Sequence, residues 1–225
     1  MSTRVRFFSS SVGTKILIAV TGLGLFGFLV LHLAGNLLAL VGPEAFNHYS
    51  HALISNPLIY VAEAGLAALF ALHVFKAATN WFANREARPT GYQMKRWAGH
   101  TSRKSIASTT MIVTGSVTFV FVILHLWTFK FGPWYDSPGE PGVRDLYRLL
   151  MEVFQSPAYV IFYVVCMILI LLHLQHGIAS ALQSLGVNHP RYNRAILTAG
   201  TLLAIVIGAG FAFIPIWAFI VGGRS

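Results

Sequence analysis

Apolar residues dominate five stretches of the chain, roughly 16–41, 58–81, 106–129, 158–182 and 195–221, and polar positions gather between them. Each stretch reaches the ~20 residues that an α-helix needs to cross a ~30 Å hydrocarbon core. None shows the ~10-residue alternation of a membrane β-barrel strand. The pattern predicts an all-α integral membrane bundle of five transmembrane helices, over about 14–41, 57–84, 105–131, 157–185 and 194–221, within one domain covering 1–225. The first apolar run follows a basic N-terminus, "MSTRVRFFSSSVGTK". It is too long for a signal-peptide core and has no small-residue cleavage site, so it reads as a retained helix. A brief helix is expected around Ala45–Ser55. The third connection, 130–157, holds "GPW" and "SPGEPG" and reads as a loop.

Composition sharpens this reading. The 225 residues are 56% hydrophobic and only 10% charged, against about 25% charged in a soluble domain. The charges that remain are mostly basic and unevenly placed. Twelve of the sixteen, Arg4, Arg6, Lys15, Lys76, Arg85, Arg88, Lys95, Arg96, Arg103, Lys104, Arg191 and Arg194, fall on the side of the N-terminus. Lys130, Arg144, Arg148 and Arg224 fall on the other. The positive-inside rule then sets the N-terminus in the cytoplasm and the C-terminus outside. The basic charge is explained by topology and headgroup contact, with no call for nucleic acid. The one cysteine, Cys166, lies in the fourth span. A lone thiol cannot supply the four ligands of an iron–sulfur cluster or close an internal disulfide.

Histidines interrupt the apolar runs. His32, His73, His125 and His173 fall one to each of the first four spans, with His176 close to the last. A polar ring at membrane depth is costly and is usually functional. Helical rise places His32 about 6 Å, and His125 about 10 Å, beyond the midpoints of helices that run outward. His73 and His173 lie about 5 Å past the midpoints of helices that run inward. The four therefore sort into an outer pair and an inner pair. An internal echo accompanies them: "TGLGLFGFLVLHL" from Thr21 and "TGSVTFVFVILHL" from Thr114 share Thr-Gly, phenylalanines at matching offsets and a histidine. Leu-His recurs at Leu72-His73 and Leu172-His173 in the spans that follow.

Two histidine pairs at two depths suit two stacked bis-histidine b haems, whose iron is then closed to oxygen and free for electron transfer. Zinc or copper needs three or four ligands converging on one point, which this pattern serves poorly. There is no C-x-x-C-H motif, so the haem is not covalently attached. His176 remains an alternative to His173, or a contact to a propionate. Arg103, Lys104, Ser105 and Ser108 are further candidates for the inner propionates.

With those residues in view, the chain resembles the cytochrome b558 membrane-anchor subunits of succinate dehydrogenases and fumarate reductases, the dihaem five-helix type. The resemblance runs through "TGLGLFGFLVLHLAGNLLALVGPEAFNHYSHAL", "HLWTFKF" and "HLQHGIASALQSLGVNHPRY". It implies an outer haem on His32 and His125 and an inner haem on His73 and His173, the last standing thirteen residues before Gly186. It also implies flavoprotein and iron–sulfur subunits on the cytoplasmic face, a bacterial cytoplasmic membrane, and exchange of electrons with a quinone, menaquinone being the expected one. A higher oligomer of that heterotrimer is compatible with it. Some relatives carry a carboxylate shortly before the fourth-span ligand; here Leu169–Leu172 contains no acid.

The residues themselves require partners. No flavin or dinucleotide fingerprint and no cluster cysteines are present, so the chain is not catalytic on succinate alone. The basic segment 85–104, with Trp97 and His100, is the expected dock for the iron–sulfur subunit. Quinone chemistry needs hydrogen-bond partners and a proton route. Asn47, His48, Tyr49, His51 and the in-span acid Glu63 are the candidates near the outer haem. Two other readings stay open: a dihaem cytochrome b of a hydrogenase or formate dehydrogenase, and a haem-free membrane transporter.

Overall fold

The computed structural model describes residues 10–87, 109–187 and 189–223. Its architecture is all-α apart from one short hairpin. Helix α1 (Ser11–Leu37) starts where the Ser10 hydroxyl accepts the Gly13 amide at 3.0 Å, taking up one of the four backbone donors a helix start leaves free. It tightens into a 3₁₀ turn at Leu38–Leu40 and breaks at Gly42, whose φ of 144° admits few other residues. Pro43 then opens α2 (Pro43–Ile54), the brief helix expected around Ala45–Ser55.

Helix α3 (Leu58–Glu86) follows, then α4 (Met111–His125), which widens into a π-helical turn at Leu126–Lys130. Helices α6 (Pro157–Ser184) and α7 (Asn193–Gly222) complete the set, separated by a turn in which Gly186 takes φ 87°. With their terminal turns, α1, α3, α4, α6 and α7 are the five helices long and apolar enough to cross a membrane. The chain is a multi-pass membrane protein.

The third connection departs from expectation. Instead of an irregular loop it forms β1 (Asp136–Ser137), β2 (Glu140–Arg144) and helix α5 (Leu146–Val153). The strands pair antiparallel around Gly139. The Asp145 side chain accepts the Arg148 amide at 3.0 Å and caps α5. Leu149 and Leu150 then turn inward. The Gly and Pro residues that suggested a loop are confined to the hairpin; the amphipathic run after Asp145 was the overlooked signal.

Packing is tightest between α6 and α7. A Cβ on Gly208 would stand 2.7 Å from Leu171 Cβ, and one on Gly210 would stand 2.8 Å from a Leu33 methyl. These glycines let backbones approach, as small residues do in membrane bundles. The buried cluster joins Leu33, Phe121, Tyr163, Met167, Ile170 and Ile207 across α1, α4, α6 and α7, with Phe46, Leu150 and Phe154 from α2, α5 and the residue after it. Helix α3 contributes no buried residue among those described.

Candidate functional site

The repeated sequence has a repeated structural role. In α1, Phe28 stacks on His32 one turn later, with ring centroids 5.2 Å apart and planes at 18°. In α4, Phe121 stacks on His125 at 5.6 Å and 24°. The two histidines face each other across the bundle, centroids 5.8 Å apart and rings nearly perpendicular at 87°. Phe211 of α7 lies 5.7 Å from His32, and Phe129 lies 5.4 Å from His125. Polar partners here stand at 3.3–3.4 Å. Tyr163 Oη stands 3.3 Å from His125 Nδ1, and the Asn36 amide nitrogen is 3.4 Å from each ring nitrogen of His32.

The Thr-Gly half of each repeat meets the histidine of the next span. Thr21 Oγ1 of α1 is 3.0 Å from His73 Nδ1 of α3. Thr114 Oγ1 of α4 is 3.2 Å from His173 Nδ1 of α6. Both threonines are buried, 5% and 1% exposed, so water does not compete for these contacts. The adjoining glycines lie under the rings. A Cβ on Gly22 would be 3.1 Å from His73 Cε1, and one on Gly115 would be 3.3 Å from His173 Cε1. His73 and His176 lie within electrostatic reach of His173. Among the described residues no hydroxyl is paired with His176.

His32 and His125 come together as a facing pair, and His73 lies within electrostatic reach of His173. No group of three or more His, Cys, Asp or Glu side chains arranged to hold a metal ion occurs among the described residues.

The quinone candidates disperse. Asn47, expected to contact quinone, is 3% exposed and committed elsewhere. Its amide nitrogen donates to Asp145 Oδ1 at 2.8 Å and to Ser137 Oγ at 3.2 Å. Its carbonyl accepts the Tyr147 amide at 2.9 Å. It pins α2 to the hairpin and α5. His48 pairs with Glu140 at 2.9 Å, both about half exposed. Tyr49 lies over Gly35, three residues past His32; a Cβ there would stand 2.8 Å from the phenol oxygen. His51 keeps Nδ1 buried with no hydrogen-bond partner among the described residues. Glu63 forms an ion pair with Lys130, the last residue of the π-helical turn that follows α4.

The cap also orders its cations. Arg144 donates to the carbonyls of Lys130, Gly132 and Pro133 and lies 5.5 Å over Trp134. Burial lowers its pKa. Arg148 donates to Glu152 at 2.8 Å. That hydrogen bond, with one from Tyr135, holds the Glu152 carboxyl below the ordinary carboxylate range.

Arg103, Lys104, Ser105, Ser108, Trp97 and His100 lie outside the described residues. Thr21, Thr114, Tyr163 and Asn36 were not among the expected site residues. For the threonines a signal was present, since Thr-Gly is the part of the repeat that the histidine pattern alone leaves without a role.

No protein-family model matches the chain, and no solved structure does. The succinate dehydrogenase cytochrome b558 subunit of Bacillus subtilis (strain 168) is 26% identical over 195 residues, covering 86% of this chain and 89% of that protein. Over most of its length, and in its five-helix architecture, the chain is thus similar to a succinate dehydrogenase cytochrome b558 subunit.

Proposed function

We propose that this chain is the membrane subunit of a succinate:quinone oxidoreductase, carrying electrons between an iron–sulfur subunit on the cytoplasmic face and a quinone through two b haems. His32 and His125 hold the outer haem, and His73 and His173 the inner one. The observation that carries the reading is the facing pair His32 and His125 with aromatic rings stacked on it, together with His73 and His173, each set against a threonine hydroxyl and within electrostatic reach of one another.

The residues fit the group. Two imidazoles sharing one metal at about 2 Å each place their ring centres about 6 Å apart, and His32 and His125 are separated by 5.8 Å. Gly22 and Gly115 give the His73 and His173 rings room against the helices, where a Cβ would stand 3.1 and 3.3 Å from them. A b haem held by these imidazoles would supply one-electron transfer. The Thr114 contact supports His173 over His176 as the fourth ligand. His176 then serves a propionate, together with Arg103, Lys104, Ser105 and Ser108.

For the quinone, the outer-face residues divide by commitment. Asn47 is a strut of the cap, and His48 is held by Glu140. Tyr49, resting beside the His32 turn, and His51, with a buried ring nitrogen seeking a partner, are the contacts we assign. Glu63, which is ion-paired with Lys130, is the proton carrier. Menaquinone, the cytoplasmic N-terminus and the flavoprotein partner belong to this reading. Succinate oxidation drives electrons from the inner pair to the outer pair, and fumarate reduction drives them back.

The test is a reduced-minus-oxidised spectrum of the purified complex. Two b-type components are expected. Replacing His32 or His125 with Leu removes one, and replacing His73 or His173 removes the other. A chain purified without any b-type band overturns the reading. Glu63→Gln slows quinone turnover with both components retained; unimpaired turnover removes Glu63 from the mechanism.

A further inference from the structure

We infer that Thr21 and Thr114 are positioning residues for the inner pair, each fixing the proton of the following span's histidine on Nδ1 so that Nε2 is presented as the ligand. This rests on the haem reading above and adds to it.

A hydroxyl has one proton to give. In Thr21 that proton goes to its own helix, with Oγ1 at 2.6 Å from Leu17 O and 3.2 Å from Ile18 O. Thr114 Oγ1 is likewise 3.1 Å from Thr110 O and 3.2 Å from Met111 O. What each hydroxyl can then offer the imidazole is a lone pair. His73 Nδ1 at 3.0 Å and His173 Nδ1 at 3.2 Å must therefore donate. A ring protonated on Nδ1 carries its free lone pair on Nε2. Outer-shell acceptors of this kind fix ring orientation and raise ligand basicity. The neighbouring glycines add the steric half of the device, since a Cβ at either would stand 3.1 or 3.3 Å from the ring, tighter than most such contacts.

The arrangement crosses the layers. Thr21 shares α1 with His32, and Thr114 shares α4 with His125, so the helices that carry the outer ligands orient the inner ones. The outer pair is served differently: the phenol of Tyr163 stands 3.3 Å from His125 Nδ1, and the Asn36 amide nitrogen is 3.4 Å from His32. Sequence position alone would assign a Thr21 substitution to the outer component. The structure assigns it to the inner one.

The experiment is a redox titration of the spectrum of the purified complex for Thr21→Val, Thr114→Val, Thr21→Ser and Thr114→Ser. Thr118→Val serves as control, because the Thr118 hydroxyl donates to Thr114 O at 2.8 Å and meets no histidine. The component that disappears in His73→Leu defines the inner one. Loss of the acceptor makes the ligand less basic, so each Val variant is expected to move that component to higher potential. A tenfold change in the reduced-to-oxidised ratio, the low end for loss of an outer-shell partner, is about 59 mV for one electron. The Ser variants restore the native value, and the outer component and Thr118→Val do not move. Selective loss of the inner component in the Val variants also supports the inference. Equal effects on both components, no shift in either, or Ser behaving as Val overturns it. A wild-type complex without b-type bands instead overturns the haem reading itself, so the two failures are distinguishable.

Discussion

Replacing Asn47 with Ala separates a structural strut from a substrate contact. The side chain makes one hydrogen bond to a carboxylate, at 2.8 Å to Asp145, and two to neutral groups, Ser137 Oγ and the Tyr147 amide. A hydrogen bond to a charged group contributes about 1.5–3 kcal/mol net and a neutral one about 0.5–1.5. Truncation removes all three together, and the contributions are not additive. We take about 3 kcal/mol as the loss, which is a little over a hundredfold in the equilibrium for opening the cap. Amide exchange over 133–154 reads this directly, since the Tyr147 N–H is itself bonded to Asn47. Protection across α5 should fall by about two orders of magnitude. Ser137→Ala, which removes one neutral bond, should lower it by about tenfold or less. Protection unchanged in Asn47→Ala, or equal losses in both variants, would refute the reasoning. In that case Asn47 returns to the quinone candidates.

Other outcomes follow from the same geometry. Gly208→Ala places a Cβ 2.7 Å from Leu171 Cβ, an atom fixed to its backbone, and should cost about 1–3 kcal/mol as overpacking. Gly27→Ala meets nothing within 4 Å and should be neutral or gain up to about 1 kcal/mol from helix propensity; thermal melting in detergent compares the two. Gly22→Val should displace the His73 ring and reduce retention of the inner b-type component more than the outer, read from the spectrum. Glu152 is held below its ordinary 4.5, so its contribution to the cap is present above that pH and is lost as pH falls through the lowered value. Tyr135, raised above 10.0 by the same carboxylate, contributes below that pH and fades as pH rises beyond it. Melting against pH should show both limbs, and Glu152→Gln should flatten the acid one.

Much of this molecule is written in its sequence because a membrane helix has a fixed rise and one solvent. Apolar runs of the required length set the five spans. The same 1.5 Å per residue sorted His32, His73, His125 and His173 by depth before any contact was known. The Thr-Gly, Phe and His echo marked two related helices from residue identities alone.

What depended on rotation and register came only from the tertiary structure. His173 and His176 share a helix face, and the position of Thr114 on α4 decides which of them meets a hydroxyl. Thr21 and His73 are 52 residues apart, and Asn47 and Asp145 are 98 apart. No local pattern encodes such pairs, because a side chain's partner is chosen by how two helices turn toward each other. The residues of α2 illustrate it most plainly. Adjacent in sequence, Asn47, His48 and Tyr49 face three ways at about 100° per residue, and the fold gave them a cap aspartate, a hairpin glutamate and a glycine beside His32.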